Sequence, residues 1–375
     1  MARKTIRGRG SLGKVPELAE KMGIHKPMIV AVEPLLSTLM KKVPGMREMP
    51  VFSDFHPNPD LKDCKQGVSL FRENNCDGLI SIGGGSSMDT AKGIKAMLLA
   101  DTVEDVISGN LTGEDTCPVI AIPGTAGTGA EATQIAVVYQ DGKKLSLNHP
   151  NLLAGGVILD SELTDGLPEY HKKSCALDAL AQGIESYWSK GCTEDSKVHA
   201  YLAIRGVLDN LKAYLAGDPH AADEMLDAAF QSGQAIQITR TTAAHAMSYQ
   251  LTKKLGYAHG HACMLTLPVL WEEMLDCEEM HPVLKELSEV MRLGDPLMGP
   301  KLLWGILYDL GLDAKEMPDE ELLNELAGSV NAERLGNHPM TLEQRQLKSI
   351  YRRAFTKKPE MEKQACTDIW EYYGK

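Results

Sequence analysis

An apolar run, Gly78-Leu79-Ile80-Ser81-Ile82, ends in three glycines, Gly83, Gly84 and Gly85, and a helical pattern follows through Met88, Asp89 and Lys92 to Leu99. A strand that ends in glycine and turns straight into a helix lets bare backbone N–H groups approach an anion. The dipole of the helix adds partial positive charge at the same point, so a diphosphate fits there. A tight strand-to-helix turn without a ligand has the same local signature, and the segment departs from the G-x-G-x-x-G fingerprint. The rest of the chain has to decide between the two.

The chain of 375 residues is long enough for two domains, each with its own core. A formal net charge of −12 argues against a nucleic-acid surface, because phosphate neutralisation needs clustered Lys and Arg. The eight cysteines form no C-x-x-C pair, which favours reduced thiols over a disulfide framework or zinc ribbon. The first ten residues carry charge but no apolar h-region, and no apolar stretch reaches membrane-spanning length. A cytoplasmic protein acting on a small molecule, with neither a membrane nor a nucleic-acid partner, is expected.

The first half alternates short apolar runs with helical patterns, as a βαβ architecture does. Strands are expected at Pro27–Val32, Met49–Phe52, Leu79–Ile82 and Val119–Ile122, with a hairpin pairing Ala136–Tyr139 and Lys144–Leu147 around Asp141-Gly142. From about Ser161 onward the apolar spacing becomes three to four and strand signals nearly vanish. The reading is an α/β dinucleotide-binding domain over residues 1–160 and an all-helical metal-binding domain over 161–375, with an active site in a cleft between them.

Four positions in the helical half are candidates to meet at one metal ion. Asp178 and Gln182 are four residues apart and project from one helix face. His245 lies in Thr-Thr-Ala-Ala-His-Ala-Met, and His259 in Tyr-Ala-His-Gly-His-Ala. A carboxylate with imidazoles suits zinc or iron(II) and leaves room for a substrate oxygen. Taken singly, a buried hydrogen-bonding acid or a satisfied core histidine is the commoner explanation, and spacing alone does not make any one of them a ligand.

These segments together resemble the iron-containing (group III) alcohol dehydrogenase family from about Arg9 to the C-terminus. The resemblance rests on Gly83-Gly84-Gly85-Ser86-Ser87-Met88-Asp89-Thr90-Ala91-Lys92, on Ile122-Pro123-Gly124-Thr125-Ala126-Gly127-Thr128-Gly129-Ala130-Glu131-Ala132-Thr133, on Ile158-Leu159-Asp160-Ser161-Glu162-Leu163, and on the metal residues. Asn337-His338-Pro339 follows in the expected order. It implies an α/β Rossmann-like N-terminal domain, an all-helical C-terminal domain, NAD(H) or NADP(H), one divalent metal ion (Fe2+ or Zn2+), and a homodimer or larger homo-oligomer. Gly84, Gly85, Ser86, Asp89, Thr125 and Thr128 are then expected to hold the cofactor, with Lys144 a candidate for the nicotinamide ribose. Two departures stand out. Gln182 takes a place where family members usually carry His, and it is either a weaker oxygen ligand or no ligand. Val32 takes the place of the Asp that contacts the adenosine ribose in many NAD-using members, which leaves NADPH open; Glu33 substitutes if the register slips by one.

By this resemblance the metal polarises a substrate carbonyl while the nicotinamide delivers hydride. His261, two residues past a metal ligand, is a candidate proton donor or alternatively a core histidine. Arg240 and Lys253 flank His245 in sequence, and cations there suit a short aldehyde with an anionic head group. The strings Thr241-Thr242-Ala243-Ala244-His245-Ala246-Met247-Ser248-Tyr249 and Gln182-Gly183-Ile184-Glu185-Ser186-Tyr187-Trp188-Ser189 resemble the subgroup that reduces phosphonoacetaldehyde or sulfoacetaldehyde. A general alcohol dehydrogenase for neutral short-chain alcohols, a lyase or polyol chemistry on the same two-domain plan, and a nucleotide-binding scaffold without catalysis are the alternatives.

Overall fold

The computed structural model describes residues 3–373. The chain forms two compact units, Met1–Leu167 with Gly217–Gly233 and Pro168–Ala216 with Gln234–Lys375. No helix among the described residues is long and apolar enough to cross a membrane.

The first unit runs β1 (Lys4–Arg7), α1 (Val15–Lys21), β2 (Pro27–Ala31), α2 (Leu35–Lys42), β3 (Val51–Phe52), α3 (Leu61–Glu73), β4 (Gly78–Gly83), α4 (Gly85–Leu99) and α5 (Val103–Ser108). It continues with β5 (Val119–Pro123), β6 (Ile135–Gln140), β7 (Lys143–Asn148) and β8 (Gly156–Leu159). Six strands form one sheet in the order β1-β8-β5-β4-β2-β3, and every pairing in it is parallel. Strands β2, β4, β5 and β8 are buried along their whole length, which explains their continuous apolar runs. Ile29, Ile80, Ile82, Ile120, Ile122 and Ile158 form one core with Leu12, Val15 and Leu18.

The strand order fixes where a ligand fits. From β2 the chain moves outward to β3 and then returns to β4 on the other side of β2, so the topology reverses between β2 and β4. In an open parallel sheet the crevice beyond the carboxyl ends of such strands is the binding position. Gly83 and Val32, at the ends of these two strands, lie there.

The expected hairpin forms as β6 and β7, antiparallel, with Tyr139 opposite Lys144. Its two turn residues, Asp141 and Gly142, have φ of 50° and 73°, the left-handed pair that a two-residue hairpin loop requires. The strands β1 and β8, which pair in register from Lys4–Gly156 to Arg7–Leu159, are additions to the expected set.

The second unit is helical, with no strand among its described residues. It contains α6 (Glu169–Trp188), α7 (Glu194–Leu215), the end of α8 (Pro219–Thr239), α9 (Ala243–Leu255) and α10 (His259–Leu275), followed by further helices between His281 and Glu371. Helix α6 packs against α7 and α10, and α10 also against α9.

Within the first unit a buried cation ties α4 to the loop after β5. Lys92 is 2% exposed, and its Nζ donates to Ala130 O at 2.6 Å, Ile135 O at 2.8 Å and Thr133 Oγ1 at 3.2 Å. Burial pushes the Lys92 ammonium down and the Asp89 and Glu131 carboxyls up, while attraction among the three opposes both shifts. Lys92→Met would remove the shortest donor to the Ala130 and Ile135 carbonyls and the cation that acts most strongly on Asp89 and Glu131. It should cost about 3–5 kcal/mol, read as a lower denaturant midpoint at unchanged slope; a loss below about 1 kcal/mol would contradict this role.

Candidate metal centre and cofactor cradle

The candidate metal residues sit in the second unit, and one face of α6 organises them. Tyr170, Ser174, Asp178, Gln182 and Glu185 follow at intervals of four, four, four and three, so they form a stripe along the helix. Each polar group used from that stripe meets α9, α10 or the turns before them.

Glu185, at the far end, is fully buried. Its Oε1 accepts from Thr242 Oγ1 at 2.6 Å, Ala244 N at 2.8 Å and Thr242 N at 3.2 Å. This carboxylate caps α9, whose own N-cap residue Thr242 makes no side-chain capping bond. Its Oε2 accepts from His245 Nδ1. Burial opposes its ionisation, yet His245 and these donors hold it below the usual carboxylate range. With Nδ1 so engaged, His245 presents Nε2 to the interior.

His259 is fixed in the same sense. Ser248 Oγ donates to His245 O at 2.9 Å and lies 3.3 Å from His259 Nδ1, whose N–H it is placed to accept. His259 Nε2 therefore also faces inward, 3.9 Å from Asp178 Oδ1 and 3.9 Å from Cys263 Sγ. His245 Nε2 lies 3.2 Å from Asp178 Oδ1, and neither atom has a hydrogen-bond partner of adequate geometry. One ligand atom each from Asp178, His245, His259 and Cys263 falls within 4.8 Å of all the others.

This arrangement fits a divalent ion. Two imidazoles of fixed tautomer, a carboxylate and a thiol converge, and two buried polar atoms lack any other use. The His259 side chain is 40% exposed, so the cluster opens to solvent on that side. Burial opposes ionisation of Asp178, but His259 and His245 hold its pKa below the usual range. Burial likewise raises the Cys263 thiol, and the two histidines outweigh it and bring the pKa to about 7.

Gln182 is buried beside Asp178 and hydrogen-bonds its carboxylate. His261 points away from the cluster. Its Nε2 donates to Leu312 O at 2.7 Å, and its Nδ1 accepts from Tyr170 Oη at 3.1 Å, which itself accepts from Ala258 N at 3.0 Å. Burial pushes its pKa down to about 4, so this fully bonded ring is neutral. Arg240 follows the end of α8 in the left-handed region, φ 65°, and Asn337 Nδ2 donates to Thr239 O and Thr241 O on either side of it. Lys253 is exposed in the last turn of α9, where a lysine complements the helix dipole.

The residues expected to hold the cofactor sit in the first unit. Helix α4 begins at Gly85 with Gly84 as an N-cap that makes no side-chain bond, so its first N–H groups remain open to an anion. A Cβ on Gly84 would sit 3.5 Å from Thr125 Cγ2, and one on Gly85 3.5 Å from Thr128 Cγ2. The two glycines and two threonines therefore line one cradle, and Thr125 Oγ1 is buried there without a hydrogen-bond partner. Ser86 Oγ accepts from Asn58 N at 3.2 Å. Asp89 accepts from Val137 N and lies close enough to Lys144 to feel its charge. Val32 stands exposed just past β2, whereas Glu33 is occupied with the N–H and hydroxyl of Ser37.

Sequence reasoning missed Glu185, Ser248 and Cys263. Signals existed for two of them: Glu185 continues the Asp178–Gln182 face at i+7, and Cys263 stands at i+4 from His259. Ser248 had no local mark.

Residues 2–161 match the profile described as iron-containing alcohol dehydrogenase, and 173–355 match the C-terminal profile of the same family. The chain belongs to the iron-containing alcohol dehydrogenase family, which uses NAD(H) and a divalent metal ion. A phosphonoacetaldehyde reductase of Streptomyces viridochromogenes is 36% identical over 56% of this chain and 57% of its own length, so the chain spans less than two thirds of that relative. An NAD-dependent methanol dehydrogenase of Bacillus methanolicus is 30% identical over 70% of this chain and 72% of its own. Among solved structures, a sulfoacetaldehyde reductase of Bifidobacterium kashiwanohense in complex with NAD+ superposes with a TM-score of 0.85 at 27% identity, covering 96% of this chain and 98% of that one.

The cluster depends on a close approach of two helices. A Cβ on Gly260 would lie 2.0 Å from Ser174 O and 2.7 Å from Asp178 N, both backbone atoms that have no room to yield. Gly260→Ala should push α10 off α6, cost about 1–3 kcal/mol and lower the metal content of the purified protein. Full metal content with unchanged melting temperature would show that the approach is not required.

Proposed function

We propose that the protein is a metal-dependent, NAD(P)H-linked reductase of a short aldehyde with an anionic head group, phosphonoacetaldehyde or sulfoacetaldehyde, giving the 2-hydroxyethyl compound. The observation that carries the dehydrogenase reading is the convergence of Asp178, His245 and His259, with both imidazole Nε2 atoms turned inward on an open-sided cluster. When bound, the ion supplies Lewis acidity toward the carbonyl and the dihydronicotinamide supplies the hydride.

The chain's own groups set up that chemistry. Glu185 and Ser248 fix the two imidazoles, so no reorientation is needed as charge develops. Gly84, Gly85, Ser86 and the Thr125 and Thr128 hydroxyls receive the pyrophosphate, with the uncapped start of α4 directed at it. Lys144 and Asp89 belong to the same cofactor region. The absence of a carboxylate at Val32 leaves space for the additional phosphate of NADPH as well as for NADH. His261, with both ring nitrogens engaged, holds the start of α10 against α6 in this reading rather than carrying a proton.

The head-group assignment rests on Arg240. A left-handed residue just after a helix is usually glycine or asparagine, and holding an arginine there costs about 1 kcal/mol. Such a cost is tolerated at sites with a task, and a guanidinium pairs a phosphonate or sulfonate bidentately. The similarity to reductases of both anionic aldehydes supports the same class. The second reading, reduction of neutral short aldehydes, is favoured by the exposed position of Lys253 and by the similarity to a methanol dehydrogenase.

NADH and NADPH oxidation by the metal-loaded enzyme, with phosphonoacetaldehyde, sulfoacetaldehyde and propanal, separates the two. The proposal expects kcat/KM for one anionic aldehyde to exceed that for propanal, and Arg240→Ala to raise KM for the anionic substrate about 10- to 100-fold while changing that for propanal little. Equal losses for charged and neutral substrates would remove Arg240 from head-group binding, and a preference for propanal would establish the second reading.

A further inference from the structure

We infer that Cys263 is a protein ligand of the metal, completing an Asp178–His245–His259–Cys263 set, and that Gln182 orients Asp178 instead of binding the ion. The inference deepens the proposed function and rests on there being a metal in this cluster.

Cys263 stands one helical turn after His259 on α10, so both side chains leave the same face of that helix. The thiol is fully buried, and its Sγ lies 3.9 Å from His259 Nε2, the nitrogen that Ser248 leaves available. It shares the 4.8 Å cluster with the Asp178 oxygen and the His245 ring. The other seven cysteines, Cys64, Cys76, Cys117, Cys175, Cys192, Cys277 and Cys366, belong to no such group among the described residues. Position, not cysteine content, sets this one apart.

Gln182 stands one turn after Asp178 and hydrogen-bonds its carboxylate. Only the amide NH2 can serve a carboxylate acceptor, so Gln182 acts as donor here. Asp178 Oδ1 has no hydrogen-bond partner and faces both Nε2 atoms, so the bond from Gln182 turns the carboxylate without using the oxygen that faces the cluster. Between a neutral amide oxygen and a sulfur that becomes anionic, a borderline or soft divalent ion takes the sulfur.

On binding, the Cys263 S–H bond breaks, its proton passes to solvent, and the sulfur lone pair forms the bond to the ion; no redox change is involved. Two anionic and two neutral ligands then cancel the ion's charge. Zinc and cobalt are favoured over magnesium and manganese by the thiolate.

Cobalt(II) loading of the full-length protein provides a readout independent of turnover. The wild-type protein should show a near-ultraviolet thiolate-to-cobalt charge-transfer band, and X-ray absorption of the zinc form should show one sulfur at about 2.3 Å. Cys263→Ser should lose the band and bind zinc at least about tenfold more weakly, while Gln182→Ala should keep the band. The wild-type spectra decide the matter even if Cys263→Ser does not fold. A bound metal with only nitrogen and oxygen neighbours, or a band that survives Cys263→Ser, overturns the ligand assignment and leaves the proposed function standing. Failure to bind any divalent metal overturns both.

Discussion

A carboxylate buried without solvent, Glu185, is the interaction on which the second unit turns. An unpaired buried anion costs several kcal/mol, so its oxygens must be met by donors in a fixed arrangement. Two backbone N–H groups at the start of α9, the Thr242 hydroxyl and His245 Nδ1 meet them. The same bonds cap a helix that has no cap of its own and determine which nitrogen of His245 faces the cluster. The capping of α9 and the orientation of His245 use one set of contacts there.

The rest of the α6 stripe repeats that logic toward its start. Ser174 Oγ accepts from His261 N at 3.1 Å, and Tyr170 links Ala258 N to the His261 ring. Helix α10 is thereby held at its first turn, where Gly260 permits the close contact with α6. One helix face thus carries groups that fix α9, groups that fix α10, and between them the acid that both histidines face. In the first unit a buried Lys92 plays the corresponding part, binding the carbonyls of the loop that presents Thr125 and Thr128.

Much of this was legible in the sequence because the signals were periodic or chemical. Buried parallel strands read as apolar runs, and Asp141-Gly142 marked its hairpin. The edge strand β1, Lys4-Thr5-Ile6-Arg7, offers one apolar residue in four and none of its residues is fully buried, so pattern alone passes over it. Its partner β8 is short and opens on a glycine. In the site, spacing placed Asp178 and Gln182 on one face, but spacing says nothing about which nitrogen of a histidine points inward. That depends on Glu185 and Ser248, whose partners lie far away in sequence or on an adjacent turn. His261 shows the same limit: adjacency to His259 suggested chemistry, whereas the helix rotation between them sends its ring to Tyr170 and Leu312.

The proposed chemistry requires a metal ion at the convergence of α6, α9 and α10. Anomalous scattering from crystals of the metal-loaded protein, recorded at the absorption edge of the bound metal, tests it most directly. The predicted result is a single strong peak about 2.0–2.3 Å from Asp178 Oδ1, His245 Nε2 and His259 Nε2. A peak elsewhere, or a protein that carries its metal with these three side chains uncoordinated, would contradict it.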